Sequence, residues 1–404
     1  MKQRGAPRSL NAVAVVIVVA FAVIGVLFSV VQPVLEAPDE TSHVSVVRYI
    51  AEHHNLPVQR PPQFPAGQEG SQPPLYYALG AILWGFAPAG DIAPAFPQTN
   101  PQIDFSRLRE PLANRNLYAH TPREGFPYRG DVLAIHLVRL LSVLLGCATV
   151  ALTYLIAREL WPERPFAVLL APLIVAFNPQ FAFMSGVVNN DDLIATTASL
   201  VLWGVVRWLR RGGSRRLAMA LGVGLGLAIL SKTSGLLLAP LILLVVLHDL
   251  VDFSPGSACL TAPPRPPRRE TLSRLGIVAV LAAVVSGWWF VRNQVLYGDP
   301  LGWQVMLAAN GSMVRSAPLG PLDATRLLWD ARSTAWGIFG WTNLVFPDRV
   351  YALFDLASTV AVLGCVITGL WWVGNVARGL VPRPTHQSSI DTRRTLAVLI
   401  VAGW

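Results

Sequence analysis

The sequence predicts an all-α integral membrane protein: a multi-span helical bundle with a long first outer loop that carries juxtamembrane helices. Three observations predict it. Of 404 residues, 53% are hydrophobic and only 14% are charged, and the mean hydropathy is +0.48. Apolar runs of about 20 residues, the length that crosses a bilayer core of about 30 Å, recur along the chain. Clusters of basic residues recur in alternate gaps between those runs, which is the pattern of topogenic charge.

Eight complete spans are expected, at about 10–32, 133–157, 165–182, 192–209, 216–231, 233–250, 274–291 and 355–376. A ninth run begins near Leu396 and is cut at Trp404, so a missing C-terminal part is expected and residues 1–404 read as one membrane domain. The first run follows Lys2, Arg4 and Arg8, as in a signal peptide. Its apolar core is longer than a usual h-region and no small-x-small cleavage site follows, so it reads as a retained signal-anchor.

The basic clusters fall at Lys2/Arg4/Arg8, Arg158/Arg164, Arg207–Arg216, Arg265–Arg274 and Arg378–Arg394. Counting the N-terminus as zero, each lies in an even-numbered gap, which places the N-terminus in the cytoplasm. These loops account for most of the net charge of +9. The basic residues lack interleaved aromatics, so no nucleic-acid partner is called for. Cys147, Cys259 and Cys365 lie in spans or in an inner loop, and no disulfide is expected. The segment 252–273, rich in proline, reads as a flexible cytoplasmic linker.

Two long segments, 33–132 and 292–354, then lie outside, both rich in Pro, Trp, Tyr and Asn. Connections of this length are functional or disordered, and aromatic content argues against disorder. In the first, Pro38, Asp39 and Glu40 suit the start of a helix and the positive end of its dipole. Val44, Val47, Ile50 and Ala51 then give 38–54 an apolar face, so it reads as an amphipathic helix on the membrane surface. His43 follows Asp39 by four residues and shares its face. An acid beside a histidine at the membrane edge suits a base acting on a hydroxyl. Further on, Gln68-Glu69-Gly70-Ser71-Gln72-Pro73-Pro74-Leu75-Tyr76-Tyr77 leads into an apolar helix of about 75–86. At 1.5 Å per residue it reaches only about 18 Å and does not span.

Other polar groups fall on the same side. Asn189-Asn190-Asp191-Asp192 opens the fourth span; one helix cap needs one Asx side chain, and four stand in a row. The surplus carboxylates could hold a divalent cation, for which oxygen-only ligands favour Mg²⁺, Mn²⁺ or Ca²⁺, or could orient a sugar. Lys232, one of two lysines in the chain, sits in a tight outer turn and reads as a point-charge contact to a phosphate or an acid. Arg292 is a cation outside the inner clusters and calls for a phosphate or acidic partner. Tyr297 and Asp299 follow in Tyr297-Gly298-Asp299-Pro300. Trp336 and Trp341, in Trp336-Gly337-Ile338-Phe339-Gly340-Trp341-Thr342-Asn343, suit either a sugar ring or the membrane interface.

This pattern looks like the GT-C superfamily of polytopic glycosyltransferases. Pro38-Asp39-Glu40 resembles the Asp-Glu motif of protein O-mannosyltransferases. Pro73-Pro74-Leu75-Tyr76-Tyr77 resembles a segment shared by aminoarabinose transferases and O-mannosyltransferases, and Asp191/Asp192 resemble the second acid of that group. More closely, Pro38-Asp39-Glu40-x-x-His43, Gln72 to Tyr77, Asn189-Asn190-Asp191, Arg292-Asn293 with Tyr297-Gly298-Asp299-Pro300, and Phe339-Gly340-Trp341 resemble the bacterial membrane family labelled domain of unknown function 2142, over nearly the whole chain.

The resemblance implies a GT-C fold in the bacterial cytoplasmic membrane. It implies an inverting sugar transfer on the outer face, from a polyprenyl-phosphate donor to a glycan, lipid or protein acceptor in envelope assembly. Asp39 would be the general base, tuned by Glu40 and His43. Asp191 or Asp192, with Asn190 beside them, would form a second acidic site, on a divalent cation such as Mg²⁺ or Mn²⁺ if one is used. Lys232 and Arg292 would hold the lipid phosphate, and Tyr76, Tyr77, Tyr297, Asp299, Trp336 and Trp341 would line the substrate. The competing readings are a lipid-linked glycan flippase, which would place charges and broken helices at mid-membrane, and a non-catalytic scaffold of an envelope polysaccharide complex.

Overall fold

A computed structural model describes residues 8–87, 98–103, 116–250, 267–311 and 314–377. The expected ninth span and most of the 252–273 linker lie outside them. Among the described residues the regular structure is helical apart from one two-stranded hairpin. Five described helices are long and apolar enough to cross a membrane, against the eight spans read from the sequence; 165–182 and 233–250 give shorter apolar helices.

α1 (Arg8–Val31) is the first of these. It buries Phe21 and Ile17 and exposes Val15, Val16, Val19 and Val23, an apolar outer surface that lipid accommodates and water does not. α2 (Glu40–His53) and α3 (Leu75–Trp84) are the two short helices expected in the first outer loop. They pack on each other through Val44, Val47, Tyr76 and Tyr77, against Val138 of α4 (Gly130–Leu160).

The run 165–182 reads as one span in the sequence, but the structure breaks it. α5 (Pro165–Ala176) ends, and α6 (Pro179–Met184) begins afresh. The cause is Asn178-Pro179. The Asn178 side chain accepts from Phe181 N at 3.0 Å as an N-cap, and Pro179 takes the first helical position, where its missing N–H costs nothing.

α7 (Asp191–Arg211), α8 (Arg215–Ser231), α9 (Leu238–Leu250) and α10 (Arg268–Tyr297) form the second half of the bundle. Val205, Trp208, Leu221, Ile242 and Val278 meet in its core. Gly222 and Gly226 lie on the face of α8 that meets α10. A methyl at Gly222 would stand 2.8 Å from the Val278 carbonyl oxygen, and one at Gly226 2.6 Å from Val285, so small residues set the helix separation.

Beyond α10 come α11 (Trp303–Ala309), α12 (Pro321–Trp336), a hairpin of β1 (Ile338–Phe339) with β2 (Leu344–Val345), and α13 (Asp348–Ala377). Phe339 of β1 stacks on Phe28 of α1 and meets Phe183 of α6 edge-on, which ties the hairpin to the first half of the bundle.

The polar centre of the fold is a cation that the pattern of topogenic charge does not contain. Arg139 lies inside the span of α4, fully buried. Its Nε and Nη2 donate to the two carboxylate oxygens of Glu40 at 2.8 and 2.7 Å. Its remaining N–H groups go to the carbonyls of Ser29, Gln32 and Pro33, at 2.8, 2.7 and 3.0 Å, just where α1 leaves its last carbonyls unpaired. All five guanidinium donors are used.

Removing one member of such a pair strands the other charge, which costs about 3–5 kcal/mol. Arg139→Met is therefore expected to lower the unfolding temperature of the detergent-solubilised protein sharply. Adding Glu40→Gln to it should recover part of that loss in the same melt.

Candidate functional site

Glu40 is predicted as a partner of Asp39 in the site; the structure assigns it to the clamp instead. Oε1 accepts from Arg139 and from Val188 N at 2.9 Å, and Oε2 from Arg139 and from Leu35 N at 2.9 Å. Its lone pairs are filled and it is wholly buried, so no substrate reaches it. What the clamp does is hold the α1–α2 turn in place. Asp39, the next residue, is thereby presented at the surface.

Asp39 stands at the N-cap of α2 with φ 56°, the left-handed region, and its side chain does not cap the helix. Its Oδ1 accepts from Gln68 Nε2 at 2.7 Å instead. No hydrogen bond joins the Asp39 carboxylate to His43 among the described residues. His43 is buried, and its Nδ1 lies 2.9 Å from the Tyr77 hydroxyl. Burial pulls its pKa down to about 4, against the raising effect of Asp191, so the ring is neutral at ordinary pH.

Tyr77, expected against substrate, is itself fully buried; its hydroxyl stands between His43 and Glu69, 3.4 Å away. Tyr76 is a core residue as well. Its hydroxyl meets Ser142 Oγ at 2.7 Å and accepts from Asn189 N at 3.2 Å.

The four Asx residues at the head of α7 divide the work. Asn190 holds the N-cap position without a side-chain cap bond, and Asn189 before it meets the free N–H groups instead, its Oδ1 accepting from Asp191 N at 2.8 Å and Asp192 N at 3.2 Å. Asp192 turns inward, buried, to Ser185 Oγ at 2.7 Å and Asn189 Nδ2 at 3.1 Å. Asn190 is buried too, with Nδ2 3.5 Å from the Ser231 carbonyl. Asp191 alone is exposed, and it pairs with Lys232 Nζ at 2.5 Å. The two aspartates therefore point to different partners and do not form a shared metal cradle. No group of three or more His, Cys, Asp or Glu among the described residues could hold an ion.

Glu69 is the site residue that sequence reasoning missed, although it stands beside the Pro73-Pro74 motif. It lies in a short 3-10 turn, Gln68–Ser71, that packs on α2. Burial first, then the charge of Asp39, pushes its pKa up to about 7; Lys232 and Asp191 also act on it. Asp39, His43, Glu69, Asp191 and Lys232 thus form one electrostatic cluster at one end of the bundle.

Arg292 and Tyr297, at the same end of α10, serve another purpose. Arg292 Nη2 donates to the Pro57 carbonyl at 2.7 Å and its guanidinium lies 5.0 Å from the Trp289 ring centre. Tyr297 Oη accepts from Gln59 N at 3.2 Å. Together they hold the loop that leads into Gln68 and Glu69. Nor is Arg292 the one cation in the two long connections: among the described residues Arg48, Arg315 and Arg332 also lie there, each paired with a carboxylate. Asp299 caps a local turn, accepting from Leu301 N and Gln304 N, both at 3.0 Å, which holds its pKa below the usual range. Trp336 stacks on Phe354 at 4.6 Å between α12 and α13, while Trp341 is exposed on the hairpin. No contact among the described residues brings Asp299 or the two tryptophans to the acidic cluster.

A family model described as dolichyl-phosphate-mannose-protein mannosyltransferase matches residues 105–300, which include α4 to α10. No curated protein matches. Among solved structures, the chain is similar to the oligosaccharyltransferase AglB of Archaeoglobus fulgidus in complex with an inhibitory peptide and a dolichol-phosphate. The two are 16% identical with a TM-score of 0.46, over 96% of this chain and 38% of that one. It is also similar to the Pmt1-Pmt2 protein O-mannosyltransferase complex of S. cerevisiae bound to the sugar donor, at 15% identity and a TM-score of 0.41, over 72% of this chain and 34% of that one. A third match is the A. fulgidus enzyme with Zn and sulfate, at 18% identity and a TM-score of 0.45, over 89% of this chain and 40% of that one. The chain spans well under half the length of each.

The raised pKa of Glu69 has a stability consequence of definite sign. A carboxyl with a folded pKa of about 7, above its ordinary 4.5, favours the fold below pH 4.5, and that contribution is lost as pH rises through 7. His43, with its folded pKa below the ordinary 6.5, contributes above pH 6.5 and loses that contribution as pH falls through about 4. Glu69→Gln is expected to match wild type in thermal unfolding near pH 4 and to melt higher than wild type at pH 8. Parallel melting curves at both pH values would show that Glu69 is not raised.

Proposed function

We propose that the chain is the membrane part of an inverting glycosyltransferase that uses a polyprenyl-phosphate-linked sugar. The observation that carries this reading is an exposed carboxylate, Asp39, released from capping its helix and held by Gln68 beside Glu69, His43 and the Asp191–Lys232 pair. The family match over 105–300 supports the same class of reaction, and the donor and acceptor classes follow from it by analogy.

In this reading Asp39 takes the proton of the acceptor hydroxyl as its oxygen attacks the anomeric carbon from the face opposite the phosphate. The bond from that carbon to the phosphate oxygen breaks, and the phosphate leaves with the polyprenol. Lys232 supplies the countercharge for that phosphate by exchanging its contact with Asp191. The distribution of arginine supports a cytoplasmic N-terminus and a site on the outer face of a bacterial cytoplasmic membrane, where the acceptor would belong to envelope glycan assembly. A flippase needs charges open to a path at mid-membrane. Arg139 is the candidate for that, and every one of its donors is occupied.

The test is transfer of labelled sugar from polyprenyl-phosphate donors in membranes carrying the protein. Asp39→Asn should lower transfer by about 10²–10⁴-fold, the usual worth of a general base, with donor binding retained. Equal transfer by the variant would remove Asp39 from the chemistry. Absence of transfer by both, over a broad set of donors, would favour a flippase or a scaffold.

A further inference from the structure

The Tyr77 hydroxyl has one proton and two basic neighbours, His43 Nδ1 at 2.9 Å and Glu69 Oε2 at 3.4 Å. The three side chains come from α2, α3 and the 3-10 turn between them, and Tyr77 and His43 also stack, with ring centres 5.8 Å apart. We propose that Glu69 is a positioning residue which, through the Tyr77 hydroxyl, fixes which nitrogen of His43 carries the proton.

An ionised Glu69 only accepts, so it draws the phenol proton; charge-assisted hydrogen bonds are the shorter and stronger kind. The Tyr77 oxygen is then left to accept from His43 Nδ1–H, and Nε2 is the bare, basic nitrogen. A protonated Glu69 donates to the Tyr77 oxygen instead. The phenol proton turns to His43 Nδ1, and the ring carries its hydrogen on Nε2. One proton added at Glu69 thus moves the histidine proton from Nδ1 to Nε2 without changing the ring's charge. The N–H bond at Nδ1 breaks and one forms at Nε2; the proton given up goes to water and the one gained comes from water, so the exchange balances with solvent alone. His43 Nδ1 is held by Tyr77, and no hydrogen bond to Nε2 is found among the described residues.

The other charged and titratable groups around the relay are few. Asp39 precedes α2 and acts on Glu69; Glu40 is spent on Arg139. Tyr76 meets Tyr77 edge-on from the same helix. Asp191 and Lys232, from α7 and the end of α8, act on both His43 and Glu69 with opposite signs. Burial keeps His43 neutral and brings Glu69 into the neutral range, so the carboxyl is the member of the chain that titrates near working pH.

The proposal rests on the glycosyltransferase reading only for its effect on transfer; the tautomer can be read without substrate. The experiment is ¹⁵N NMR of the full chain in lipid nanodiscs with labelled histidine, His43 being identified by the signal that His43→Asn removes. In wild type, the His43 nitrogens should exchange their protonated and bare signatures as pH passes through neutrality, while the ring stays neutral. Glu69→Gln and Tyr77→Phe should each hold one tautomer at every pH. The proposal is overturned by a wild-type tautomer that ignores pH, or by either variant switching as wild type does. In the transfer assay, Glu69→Gln should lower kcat and flatten its pH profile with KM for the donor unchanged, whereas a merely structural role would lower kcat uniformly across pH. A wild type that transfers sugar without switching its tautomer would sink this proposal alone; a clean switch with no transfer by wild type would sink the glycosyltransferase reading alone.

Discussion

Everything at the acidic end of the bundle hangs on the Arg139–Glu40 pair. A guanidinium inside a span is tolerated only if its charge and each donor are met, because no water is there to meet them. Here one carboxylate and three helix-end carbonyls do so. The same carboxylate accepts from Leu35 N and Val188 N. One ion pair therefore joins the end of α1, the start of α2, the middle of α4 and the turn before α7. Each of these segments carries or adjoins a group of the site.

The consequence for chemistry is a separation of duties among neighbouring acids. Glu40, its lone pairs filled, and Asp192, held by Ser185 and Asn189, are both buried and hold the frame. Asp39 and Asp191, each one residue earlier in the chain, are exposed and face outward. A helix turns by about 100° per residue, so in each pair adjacent carboxylates fall on different faces, one toward the core and one toward the solvent. Glu69 joins the exposed pair from a separate loop, and that loop is itself held by Arg292 and Tyr297 of α10. Two residues expected to bind substrate thus act one step removed, by holding the segment that leads into Gln68 and Glu69.

Much of this was legible in the sequence. The helical membrane fold, the two short helices in the first long connection and the gathering of Asp39, His43, Asp191 and Lys232 follow from hydropathy and from charge at span ends. The break at Asn178-Pro179 was written there too, but the apolar content of 165–182 outweighed it. What was not legible is partner choice. Glu40 reads like Asp39, Asp192 like Asp191, and Asp299 like both, since a one-letter neighbourhood does not say which oxygen meets which donor. Glu69 was hidden for the opposite reason. Nothing about an acid in a loop rich in Gly and Pro marks it until burial and a nearby carboxylate raise its pKa.

The sequence by itself determined the class of the molecule, because a chain of this hydropathy must satisfy its backbone inside helices when it enters a bilayer. It also determined which ends of those helices carry acid, since desolvating a carboxylate at mid-span is prohibitive unless a partner is built for it. Only the tertiary structure decided which acids are frame and which are site. That choice depends on whether Arg139, 99 residues away in the chain, arrives with its five donors beside Glu40 rather than Asp39, and contacts of that range are set by packing rather than by local pattern.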